Sequence, residues 1–79
     1  MDSAKHIAEV AFDTIWEVRS DTLEQGDVLI EFFYSEAAAI TCKTIRRNAR
    51  IKSHPAVCVS GKYYLLEREN SVEVNKPAP

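Results

Sequence analysis

The sequence predicts a small α+β domain with an N-terminal amphipathic helix, a basic central helix and a C-terminal β-hairpin. Three observations carry this. Apolar residues recur at helical spacing over residues 3–19. Alanine-rich, strongly helix-forming sequence follows Ser35 and leads into a run of bases. Two short β-rich segments flank Ser60-Gly61. The chain has 79 residues, enough for one domain with a modest core. Residues 1–69 are expected to form it, with 70–79 as a flexible, polar, Pro-containing tail.

In the first segment Ile7, Val10, Ala11, Thr14, Ile15 and Val18 follow the i, i+3, i+4 rule. A second row, Ala8-Phe12-Trp16, runs beside it. Phe12 and Trp16 read either as core or as part of a protein contact surface, since aromatic residues anchor interfaces. Residues 20–27 are turn material, with Gly26 as a stop. Val28 to Tyr34 is rich in β-branched and aromatic residues and is expected to be a strand. Ser35 is a suitable N-cap, and helix is expected from there to about Ile51. Pro55 marks the end of that region. Ala56–Val59 and Lys62–Glu67 then pair as a hairpin.

Charge is unevenly distributed. The net charge is −2, but residues 1–42 hold nine acids and two bases, and residues 43–62 hold six bases and no acid. On a helix, Lys43, Arg46, Arg47 and Arg50 fall within one arc, away from the arc of Ala38, Cys42, Ile45 and Ala49. Like charges at i, i+4 repel, so a compensating partner is expected, either the protein's own acidic half or an external polyanion. Duplex DNA suits the pattern. Arginines on a helix can enter the major groove, and lysines can meet phosphate. Lys52 extends the basic block, and the hairpin tip adds Lys62 followed by Tyr63.

Glu36-Ala37-Ala38, Thr44-Ile45-Arg46-Arg47, Pro55-Ala56-Val57 and Gly61-Lys62-Tyr63-Tyr64-Leu65 together resemble small phage excisionases and MerR-like winged-helix proteins. The resemblance covers about 30 residues and implies a winged-helix-like fold. It also implies DNA bending in the control of recombination or transcription, with protomers neighbouring one another on DNA. Arg46, Arg47 and Arg50 would then be groove or phosphate contacts and Lys62 the wing contact. An unbroken helix over 35–51 would instead give an α-β-α-β-β two-layer sandwich.

The competing expectation is a small phage- or plasmid-type inhibitor that binds a host protein through the acidic, apolar N-terminal helix, with Phe12 and Trp16 at the contact. Catalysis is not expected, because no nucleophile motif, phosphate loop or glycine fingerprint is present. His54 reads as a loop residue or phosphate neighbour. Cys42 and Cys58 read as reduced thiols, their spacing with His54 matches no zinc pattern, and no cofactor or metal is expected. No apolar run approaches the ~20 residues of a membrane span. The N-terminus lacks a secretory pattern, so a cytoplasmic, membrane-free protein is expected.

Overall fold

The computed structural model describes residues 10–75 apart from Leu23 and Gln25. Strand β1 (Val10–Asp21) pairs antiparallel with β2 (Val28–Phe33). Helix α1 (Glu36–Ile45) follows, then the long strand β3 (Arg47–Val59). The chain ends with β4 (Lys62–Leu65), β5 (Ser71–Val72) and β6 (Val74–Asn75). The six strands form one mixed sheet in the order β5-β4-β3-β1-β2-β6.

This overturns both expected architectures. Residues 10–19, read as the C-terminal part of an amphipathic helix, are strand β1; residues 3–9 of that reading lie outside the described residues. The basic helix stops at Ile45, and residues 47–51 are strand. Residues 36–45 form a single helix with no turn between Ala38 and Thr44, so no winged-helix-like arrangement forms. Nor is there a first helix for the two-layer sandwich over residues 10–19. The strand expected over 28–34 forms at 28–33, and the hairpin expected around Ser60-Gly61 forms with its second arm ending at Leu65 rather than Glu67. Ser60 and Gly61 both take positive φ, 51° and 82°, as a two-residue type I′ turn requires.

β5 and β6 lie on opposite edges of the sheet, yet only Glu73 separates them. The two edges must therefore meet, and the sheet curls closed around its inner face. Ser71 and Val72 pair with β4, whereas Val74 and Asn75 pair in parallel with β2. Asn75 Nδ2 also donates to the Phe32 carbonyl at 2.9 Å. Residues 71–75 of the segment read as a loose tail thus sew the sheet shut, while 76–79 lie outside the described residues. Inside lie Ile15, Phe32, Ala56, Tyr63 and Leu65, with Val72 and Val74 packed on them.

Helix α1 covers part of the outer face. The Ser35 side chain accepts from the Ala38 N–H at 3.2 Å, Glu36 occupies the first turn and Lys43 the last, as the helix dipole favours. Ala39 and Cys42 pack on Val18 and Phe33, flanked by Trp16, Ala49 and Ile51. Pro55, expected to end a helix, sits within β3. Its carbonyl accepts from the Leu66 N–H at 3.0 Å, so its missing N–H falls at the end of the β3–β4 ladder, where the loss is smallest.

Among the described residues Ser20 is 2% exposed and its hydroxyl lacks a hydrogen-bond partner. Removing an unsatisfied buried hydroxyl relieves its desolvation cost. Ser20→Ala should therefore stabilise the domain by about 1 kcal/mol, read as a higher urea midpoint with an unchanged slope.

Candidate anion-binding cleft

Alternation along β1 and β3 builds the site. Glu17 and Arg19 share the inner face of β1 with Ile15, and Arg50, Lys52 and His54 share the inner face of β3 with Ala56. The register sets Ile15 opposite His54, Glu17 opposite Lys52 and Arg19 opposite Arg50. One face thus passes from apolar core to charge within three cross-strand pairs. Beyond β4 a turn closed by the Arg68 N–H on the Leu65 carbonyl, at 2.9 Å, brings Glu67 and Arg68 over this end. The Arg68 guanidinium lies 5.7 Å from the Phe32 ring centre, a cation–π distance.

The result is an open cleft of about 640 Å³ lined by Arg19, Arg50, Lys52 and Arg68, with Glu17, His54 and Glu67 at its floor and side. His54 is 5% exposed. Its Nε2 lies 2.6 Å from Glu17 Oε1 and its Nδ1 contacts Glu67 Oε1. Glu17 Oε2 is also 3.5 Å from Arg19 Nε. Four cations thus line the cleft against two acids, Glu17 and Glu67, both of which contact His54. With both ring nitrogens held by carboxylates, His54 is placed to orient neighbours. Among the described residues no cluster of His, Cys, Asp and Glu is arranged to hold a metal ion.

The expected DNA-contact residues do not converge. Lys43 stands exposed on α1. Arg46, at the helix C-cap, is paired with Glu31 Oε1 at 2.9 Å. Arg47 opens into a groove with Asp21, Glu24 and Asp27, beyond a bulge where Asn48 takes φ 50° and bonds Asp21 Oδ2 at 2.9 Å. Only Arg50 and Lys52 reach the cleft. Lys62 is on the opposite face, about 30 Å from Arg50 along β3. Tyr63 is buried and donates to the Tyr34 hydroxyl at 3.0 Å. That hydrogen bond first, and burial second, push its phenol well above the ordinary tyrosine range.

Of the two aromatic contact candidates, Phe12 is 82% exposed on β1 and Trp16 is half-buried against the helix cluster. Cys42 contacts Glu31 under the helix. Burial first, with Glu31 adding and Arg46 opposing, pushes its thiol above the usual value, the direction of a buried structural cysteine. Sequence reasoning missed Arg19, Arg68, Glu17 and Glu67 as site residues. The alternation Arg50-x-Lys52-x-His54 was the available signal for half of the cleft. No helix among the described residues is long and apolar enough to cross a membrane. No protein-family model matches the chain, and neither a curated protein nor a solved structure shows significant similarity to it.

Proposed function

We propose that the protein binds the sugar-phosphate backbone of duplex DNA through the Arg19–Arg50–Lys52–Arg68 cleft. One observation carries the reading: Arg19 and Arg50 are held directly opposite each other across β1 and β3, with two further cations lining the same opening. Like charges placed opposite one another destabilise a sheet, and an anion bridging them removes the cost. Arginine forks match phosphate oxygens in two-point contacts.

The cleft lining also argues for duplex backbone over single strands. Its one ring is the buried His54, so it offers no platform for stacked bases, on which single-strand binders rely. Binding of this kind is sequence-tolerant, because phosphate contacts position without reading bases.

The test is a salt titration with a short duplex. Four phosphate contacts should give a log–log slope of about −3.6. A slope near zero, or no binding at low salt, would refute the reading.

A further inference from the structure

Strand β1 is partnered unequally along its length. Its β3 side is paired from Val10 to Asp21, but β2 joins the other side only at Trp16. Among the described residues, Val10 to Ile15 therefore form an open sheet edge. The phase of the ladder says what that edge presents. Pro55 directs its carbonyl toward Leu66 of the β4 side, hence away from Thr14, its partner on β1. The N–H and C=O of one strand residue point the same way, and the direction alternates along the strand. Val10, Phe12 and Thr14 thus aim their backbone groups outward.

Phe12 projects beside this edge onto the part of the outer face that α1 leaves bare. Around it Val57 and Tyr64 are half-buried, while Val59 and Leu66 remain 37% and 59% exposed. Lys62, opposite Val59, adds a charge to that surface.

We propose that this edge pairs with the same edge of a second copy, β1 running antiparallel to β1 across a two-fold axis. A two-fold contact requires a patch that complements itself, and this segment does. With the axis at Phe12, Phe12 lies opposite its counterpart, Val10 opposite Thr14 and Ala11 opposite Asp13. Outward N–H groups then meet outward carbonyls, the two exposed rings form a cross-strand pair, and Asp13 faces a methyl group. With the axis at Asp13, two carboxylates would oppose each other and the backbone groups at the centre would point inward.

One local contact restrains the pairing. Asp13 Oδ1 accepts from the Thr14 N–H at 2.8 Å, occupying a donor that the partner strand needs. Charge on an open edge is a common restraint on strand addition. The dimer is therefore weak, and Asp13 sets its strength.

Sedimentation equilibrium of the full chain, from micromolar to millimolar, tests this. The wild type should show a monomer–dimer equilibrium that persists at salt concentrations where DNA no longer binds. Asp13→Ala should tighten it about tenfold, by freeing one donor on each copy, and Phe12→Arg should abolish it. Both side chains are exposed, so each variant should keep the fold, which circular dichroism checks. A chain that stays monomeric even as Asp13→Ala overturns the proposal, as does a dimer that survives Phe12→Arg. Amide exchange at Phe12 should slow as concentration rises. Protection independent of concentration would mean that the chain's own residues cover the edge, and would also overturn it.

Discussion

Arg50→Glu should weaken binding to a duplex oligonucleotide about fiftyfold while leaving the free domain at least as stable as before. Losing one charge-assisted contact to phosphate costs about 1.5–3 kcal/mol, and the new carboxylate adds repulsion. In the free protein the same change turns an Arg–Arg cross-strand pair into an Arg–Glu pair, which a sheet favours by a few tenths of a kcal/mol or more. The opposite signs separate a binding role from a structural one. Fluorescence anisotropy reads the first effect and urea unfolding the second. Lys43→Glu and Lys62→Glu, both away from the cleft, should change affinity by less than about threefold, through long-range charge alone. Equal losses at Lys43, Lys62 and Arg50 would show that the cleft is not the binding surface.

His54→Ala should destabilise the fold by about 3 kcal/mol, measured by chemical denaturation. The two carboxylates that touch the ring do not contribute equally. The Glu17 side chain is 11% exposed and the Glu67 side chain 52%, so water screens the second contact and most of the loss arises at Glu17. A carboxylate accepts hydrogen bonds and cannot donate them. Without the ring, Glu17 keeps only the longer contact to Arg19. His54→Gln should recover part of the stability, because its amide can still donate to one carboxylate. A His54→Ala variant as stable as wild type would remove the ring from any role in fixing Glu17, and with it Arg19.

Local chemistry made β2 and the β3–β4 hairpin legible. Val28, Ile30 and the two phenylalanines suit a pleated surface, and Ser60-Gly61 meets the demand for two positive φ angles. Helix α1 was legible from Ser35 and the alanines that follow, but its end was not. Arg46 turns to an extended conformation and pairs with Glu31, a partner far away in sequence. From Ala49 onward an alternation was present, with Ile51 outward and Arg50, Lys52 and His54 inward, and the helical reading of the basic run concealed it.

β1 failed for a different reason. Both of its faces carry apolar residues, Ile15 toward the closed interior and Val18 toward α1, so clean alternation was lost. Phe12 and Trp16 share a face at a spacing of four in a helix and in a strand alike, and cannot distinguish the two. The cleft was only half visible, because the pairing of Arg19 with Arg50 exists only once β1 and β3 are in register.

The short run from Ser71 to Asn75 acts as a keystone. Late in the chain, it locks β4 on one flank and β2 on the other, joining segments distant in sequence, so closure must await contacts that are slow to form. A proteolytic nick between Leu66 and Ser71 would bare both flanks together and uncover Phe32 and Tyr63, so the domain would fail as a unit rather than fray.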